Sequence, residues 1–312
     1  RMAEEWPDWN VSYLPMQKKV LDSRMALLAP SRREAMSFAE VADALGEVVE
    51  RFGGTLTHSC LSQKEKLMAI EYQGTGRVRL AAFYHDSLSG NWQFSESQDY
   101  LKTLGALDTT NPQEPVVIIP NYIGGQSNCV GASRYHDTCC VSECEALLAQ
   151  LERVLHAPAA APEHIAAAIE DIPSSTVPRG RSLDTLLRHR LRAIAADHGG
   201  QVPLSGRLFA QWMHFAYPRE CSYPHLAGET KPVNIFDWSR SGVAFVASQD
   251  EMEHVANQTG RKGGPVLGAR WVHTEELPVP LATRPLGLFT FHAAAAVVAL
   301  AVLTLGVARR AG

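Results

Sequence analysis

The densest run of residues that could do chemistry lies between Arg207 and His225, with the sequence RLFAQWMHFAYPRECSYPH. His214, Cys221 and His225 are side chains that bind transition metals, and a histidine can also act as a general base. On a helix, Arg207, Gln211 and His214 would share one stripe. One hypothesis is therefore a metal-binding or enzymatic site that uses His214, Cys221 and His225. The alternative is a helix corner that a disulfide at Cys221 locks.

The cysteines of the chain predict disulfides. There are six: Cys60, Cys129, Cys139, Cys140, Cys144 and Cys221. The middle four lie close together, between Asn128 and Glu145. An even number in an exported domain indicates up to three disulfides, for which 15 pairings are possible. Adjacent cysteines are too constrained to pair comfortably with each other, so Cys139 and Cys140 are each expected to bond elsewhere. Free thiols, or a zinc site with His136, are the alternatives, although no CxxC…CxxC spacing is present.

The sequence holds no complete catalytic signature. It has no G-x-S-x-G elbow, phosphate loop, HExxH or EF-hand loop. The neighbours His85-Asp86 and His136-Asp137 do not make a triad, because adjacent side chains usually point apart. Hydrophobic residues make up 46%, charged residues 20%, and the net charge is -4, as in an ordinary globular chain without general attraction for phosphate backbones. No catalytic residue, no cofactor and no nucleic-acid partner is therefore predicted.

A long uncharged segment lies near the C-terminus. Residues 285–308, PLGLFTFHAAAAVVALAVLTLGVA, carry no formal charge and would span about 36 Å as a helix, against a hydrocarbon core of about 30 Å. This segment predicts a transmembrane helix with the embedded residues Pro285, Phe289, Ala294, Val298, Leu303 and Gly306. Arg309 and Arg310 follow it, so the positive-inside bias places the C-terminus on the cytosolic or stromal side. A buried core helix and a cleaved glycolipid-anchor signal are the alternatives.

The pattern of elements predicts an α+β fold class with four regions. They are a small α+β module over 1–125, a mainly helical, cysteine-rich module over 126–240, an irregular juxtamembrane segment over 241–284, and the transmembrane helix over 285–308. In the first module we expect helices at 37–52 and 95–104 and strands at 55–60, 66–72, 77–84 and 115–120. In the second, apolar spacing and capping boxes predict helices at 142–156, 163–172, 182–198 and 205–215. One further strand is expected at 242–248.

Three segments carry a resemblance to other proteins. They are VVIIPNYIGG at 116–125, the CC-x3-CE run at 139–145, and VPLSGRLFAQWMHFAYPRECSYPH at 202–225. Over roughly half of the chain, 83–232, the sequence resembles a group of membrane-anchored ectodomain proteins of algae and other protists. No activity is established for that group, so the resemblance carries over no catalytic residue. It implies a protist source and an anchored ectodomain, for which the thylakoid lumen is one location and the secretory route another.

These observations predict a membrane-anchored accessory or structural subunit of a larger membrane complex, with a lumenal or extracellular ectodomain. The resemblance makes a photosynthetic or respiratory complex a candidate host. Small residues in the tail suit close packing against other helices, so the expected partners are membrane-protein subunits and the lipid bilayer. Pigments or lipids would be held only through those partner subunits. The alternatives are the metal-binding or enzymatic ectodomain, and a cell-surface recognition module glycosylated at the sequons of Asn10 and Asn257.

Overall fold

The structure is a computed structural model. It describes residues 59–90, 93–133, 136–233, 238, 240–258 and 270–277, with the backbone alone for 130–138 and 258. The predicted helix at 37–52 and the predicted transmembrane helix at 285–308 lie outside the described residues. Within the described ranges, no helix is both long and apolar enough to span a bilayer.

The described chain mixes helices with small antiparallel sheets, which confirms the predicted α+β class at that level. The helices are α1 (59–69), α2 (Leu80–Leu88), α3 (Gln98–Thr103), α4 (Ile119–Ile123), α5 (Glu143–Leu155), α6 (Pro162–Asp171), α7 (Thr185–Asp197), α8 (Arg207–Ala216) and α9 (Gln249–Gln258). The strands are β1 (Arg77–Arg79), β2 (Leu107–Asp108), β3 (Val116–Ile118), β4 (Val130–Ser133), β5 (His136–Thr138), β6 (Ala159–Ala160) and β7 (Val202–Pro203).

A three-stranded sheet and an aromatic cluster form the first hydrophobic core. Strand β3 lies between β1 and β2, and Val117 pairs with Val78 on one side and Leu107 on the other. All three of these side chains are buried because the sheet is covered by α2, α3 and α4. The rings of Phe83 and Tyr122 meet edge to face at 5.4 Å, a favoured arrangement of aromatic pairs.

Four helices, α5 to α8, enclose the second core. Each turns its apolar stripe inward, as the 3.6-residue period requires, and the buried residues include Leu151, Ile165, Leu191 and Trp212. Helix α5 has the N-terminal cap that the sequence predicts: the Ser142 hydroxyl accepts a hydrogen bond from the N–H of Glu145 at 3.3 Å. The four helices predicted in this part of the chain are confirmed, with ends that differ by a few residues.

In the first module, the strand predicted at 66–72 is wrong and the strand predicted at 77–84 is shorter than expected. Residues 66–69 belong to helix α1, whose buried residues Cys60, Lys64 and Leu67 follow helical spacing. The strand predicted at 77–84 ends at Arg79, and helix α2 begins at the next residue. A short run of apolar residues fits both periods, and both helices place buried side chains in the first core.

The chain returns to the first core after residue 240. The predicted strand at 242–248 is reduced to a single bridge between Glu96 and Val246. Helix α9, which the sequence pattern did not predict, follows it, and Met252 and Val255 of this helix pack against the first core. The described residues up to Glu276 belong to one compact unit.

Candidate functional site

The candidate metal-binding or catalytic residues, His214, Cys221 and His225, lie in one segment. This segment, residues 207–225, is here called the corner, because α8 ends within it and the chain then turns between the two cores. Helix α8 is buried along most of its length, and His214 and Gln211 have no exposed surface. Buried polar side chains must find hydrogen-bond partners, so the partners of these residues show what the corner does.

His214 is held as a neutral imidazole. Its Nε2 lies 2.9 Å from Nη2 of Arg77, and its Nδ1 lies 2.7 Å from the carbonyl oxygen of Cys221. Arginine can only donate, so Nε2 accepts and Nδ1 carries the hydrogen. Burial, and then the charge of Arg77, lower the pKa of His214 to about 3. Both ring nitrogens of His214 therefore have internal hydrogen-bond partners in this structure.

Arg77 comes from the other core. It is the first residue of β1 and only 3% exposed. Its Nη1 donates to the carbonyl of Thr75 at 3.1 Å, and its Nε lies 4.0 Å from the Asp108 carboxylate. Burial lowers the pKa of Arg77, whereas the charge of Asp108 opposes that shift. A buried cation thus reaches from the sheet to α8, and its hydrogen bond with His214 joins the two cores.

All six cysteines form disulfides, which confirms the disulfide prediction. The pairs are Cys60–Cys140, Cys129–Cys139 and Cys144–Cys221. Cys139 and Cys140 each bond elsewhere, as their adjacency required. Cys221 therefore has no thiolate to offer a metal, because a thiolate is the ligand form of cysteine.

His225 contributes a further contact between the cores. Its Nε2 lies 2.8 Å from the carbonyl oxygen of Gly105, and its ring packs edge to face on Tyr223. The structure thus gives His214, Cys221 and His225 three separate internal contacts. Within the described part of the chain, no group of three or more metal-ligating side chains converges.

The corner is fastened by residues that the sequence analysis missed. Asn121 makes a two-way amide contact with Tyr223: its Nδ2 donates to the Tyr223 carbonyl at 3.0 Å, and the Tyr223 N–H donates to its Oδ1 at 2.7 Å. Arg219 donates from Nε to the Glu71 carboxylate at 2.7 Å. These partners are far apart in sequence, so a pattern search along the chain has no signal for them.

At the corner, the backbone at Gly76 packs directly against the backbone at Pro218. Gly76 has φ +70°, and a Cβ built on it would lie 1.9 Å from the carbonyl oxygen of Pro218. Only glycine fits this position, both for its left-handed backbone and for the lack of space.

A second buried cluster lies behind the corner. The side chain of Glu220 is fully buried and accepts hydrogen bonds from the hydroxyls of Ser174 and Thr176, both at 2.7 Å. Lys64 of helix α1 lies 4.0 Å from Glu220 and donates to Glu143 at 2.5 Å. The buried charges are thus paired or hydrogen-bonded, as burial of charge requires.

Residues 270–276, here called the strap, lie along the start of α8. Arg207 holds the strap by donating to the carbonyls of Val272 and Thr274, both at 2.7 Å. Glu275 in turn accepts the N–H of Leu208 at 3.0 Å, which caps the helix. The buried guanidinium of Arg207 therefore ties the C-terminal end of the described chain to the second core.

The arginines of helix α7 are also used within the molecule. The guanidinium of Arg190 lies over the rings of both Phe215 and Trp271, 4.4 and 4.5 Å from their centroids. Arg192 pairs with Glu163 at 3.2 Å, and Arg188 pairs with Glu170. Each of the three arginines of helix α7 thus makes a contact within the molecule.

Fold and corner together define a disulfide-stabilised α+β domain whose two cores are joined by buried polar contacts. Comparison of the chain with protein-family models, with curated proteins and with solved structures finds no match.

Proposed function

We propose that the protein is a membrane-anchored accessory subunit of a larger membrane complex, with its disulfide-bonded domain on the lumenal or extracellular side. The observation that carries this proposal is the pairing of all six cysteines in three disulfides. Structural disulfides persist in oxidising compartments and are rare where glutathione keeps thiols reduced. The paired cysteines support placement of the domain on the side of the membrane opposite Arg309 and Arg310.

The use of the polar residues at the corner also supports a structural role. The side chains at the corner that are best suited to catalysis or ligand binding each make a contact within the molecule. They are His214, Cys221, His225 and Arg207. Buried polar networks of this kind fix one arrangement of the packed elements, because hydrogen bonds are directional. A domain with a single fixed arrangement suits a subunit that presents a constant surface to its neighbours.

The strap links this rigid domain to the predicted anchor. Its bonds to Arg207 hold the chain up to Glu276, and the apolar segment begins soon after, at Pro285. Alanine and glycine in that segment leave a smooth helix surface, which favours close packing with another transmembrane helix. The anchor is therefore the surface through which we expect the subunit to join its complex.

Native electrophoresis of gently solubilised membranes tests the proposal. We expect the full-length protein to migrate with a multi-subunit complex. Ala295 and Gly306 would lie on nearly the same face of a helix, because they are 11 residues apart. Replacing both by leucine keeps the tail apolar but removes this small-residue face, so the variant should stay in the membrane and leave the complex. The matched control replaces Val298 by leucine, which changes neither property.

Two results would count against the proposal. A free monomer carrying glycans on Asn10 or Asn257 would favour the cell-surface recognition module. Stoichiometric zinc in the purified protein, lost on His225→Ala, would favour a metal-binding ectodomain.

A further inference from the structure

The disulfide between Cys129 and Cys139 differs from the other two in what it encloses. Strands β4 and β5, here called the hairpin, lie between these cysteines and pair only with each other among the described strands. The other two disulfides close loops with sequence separations of 80 and 77 residues, whereas this separation is 10. Cys129–Cys139 therefore holds one small hairpin, and the others hold the domain.

The three disulfides also differ in access. Cys129 and Cys139 are both partly exposed. Cys60 and Cys140 are 7% and 9% exposed, and Cys221 has no exposed surface. Thiol–disulfide exchange requires a thiolate to approach a sulfur in line with the bond, so burial slows it. Among the three disulfides, only the hairpin disulfide has both of its cysteines partly exposed, because Cys144 is partly exposed but its partner Cys221 is buried.

Opening the hairpin disulfide breaks neither of the two disulfides that close the long loops. Cys140, the neighbour of Cys139, stays bonded to Cys60, and Cys221 stays bonded to Cys144. The described contacts between the cores, such as Arg77 with His214, do not involve the hairpin.

We propose that Cys129–Cys139 is a thiol–disulfide exchange site, which a dithiol reductant opens to release the hairpin while the rest of the domain stays folded. In this exchange a thiolate of the dithiol attacks one cysteine sulfur, the bond between Cys129 and Cys139 breaks, and a mixed disulfide forms. The second thiol of the reductant then closes on the first. Two electrons pass from the dithiol to the cystine, the dithiol becomes a cyclic disulfide, and the two cysteines become thiols after proton uptake.

Graded reduction of the full-length protein by dithiothreitol, quenched with iodoacetamide and mapped by mass spectrometry, tests this assignment without a variant. We expect Cys129 and Cys139 to be alkylated together at least tenfold faster than the other four cysteines. In that partly reduced form, the melting temperature should fall by no more than about 4 °C, the change that a small loss of stability produces in a domain of this size.

A pair of variants extends the test. The double variant Cys129→Ser with Cys139→Ser should melt close to the wild type and show no fast alkylation. The matched double variant Cys144→Ser with Cys221→Ser should melt far lower. Equal reduction rates for all three disulfides, or a shuffled bond between Cys129 and Cys140 after partial reduction, would overturn the proposal. So would alkylation of Cys129 only under conditions that unfold the domain.

Discussion

Acid should destabilise this protein through His214, and the structure gives the size of the effect. The pKa of this histidine falls from 6.5 to about 3 on folding, because burial and the neighbouring Arg77 both oppose a positive charge. Between pH 6.5 and about pH 3, His214 therefore binds a proton in the unfolded chain but not in the folded chain. Stability falls as the pH drops, and this contribution levels off near pH 3.

The magnitude follows from the two pKa values. Each pH unit between them costs about 1.4 kcal/mol, so two units cost about 2.7 kcal/mol. Between pH 7.5 and pH 4.5, His214 should thus remove about 2–3 kcal/mol of unfolding free energy. Loss of that amount is large against the usual 5–15 kcal/mol of a folded domain.

Urea unfolding at pH 7.5, 6.0 and 4.5, with the disulfides intact, measures this loss. His214→Gln keeps an acceptor for Arg77 but cannot titrate, so we expect it to be less stable than wild type at pH 7.5 and to lose less on acidification. The matched control is His189→Gln, on the exposed face of helix α7, which should follow the wild type. The reasoning is refuted if His214→Gln loses as much stability between pH 7.5 and 4.5 as the wild type does.

Three further changes test the packing of the same molecule. Gly76→Ala places a Cβ 1.9 Å from a backbone oxygen, whereas the Cβ of Gly90→Ala meets no atom within 4 Å, and both glycines have a positive φ. Thermal melting should therefore show a loss of unfolding free energy of several kcal/mol for Gly76→Ala and of about 1–2 kcal/mol for Gly90→Ala. Equal losses would contradict the predicted clash. Burial raises the pKa of Glu96, so the stability of the wild type should fall as the pH rises above the pKa of this carboxyl group in the unfolded chain. Glu96→Gln should remove that fall in thermal melts from pH 5 to 9. An unchanged pH profile would contradict this. Arg207→Ala frees the strap, and trypsin should then cut after Arg270 about tenfold faster; wild-type cleavage rates would show that other contacts hold the strap.

Local signals were enough to predict the helices of the second core. In α5 the hydroxyl of Ser142 and the apolar spacing of Leu147 and Leu151 act within one or two turns, so they are visible in sequence. The bonding of all six cysteines also followed from their number and from the adjacency of Cys139 and Cys140. The pairing itself did not, since 15 arrangements satisfy the same count.

The first core was less predictable because its strands are only two or three residues long. Strands of that length have no distinct period. The strands predicted at 66–72 and 77–84 included residues 66–69 of α1 and 80–84 of α2, because a short apolar run fits both the helical and the strand period. The corner shows a second limit. His214 and Arg77 are 137 residues apart, and the contact that fixes the role of the histidine depends on how the two cores meet. Sequence analysis could identify the residues of the corner but not their partners.

The polar character of that meeting surface has a physical consequence. Apolar contacts are non-directional, so two cores joined by them alone could pack in several orientations at similar free energy. The bonds from Arg77 to His214, from Asn121 to Tyr223 and from Arg219 to Glu71 each require a defined angle and distance. A rotated arrangement would leave a buried guanidinium or amide without a partner, at a cost of about 1–3 kcal/mol for each group. The three contacts together therefore select one orientation of the two cores, which is the property that the proposed subunit would need to keep its outer surface constant.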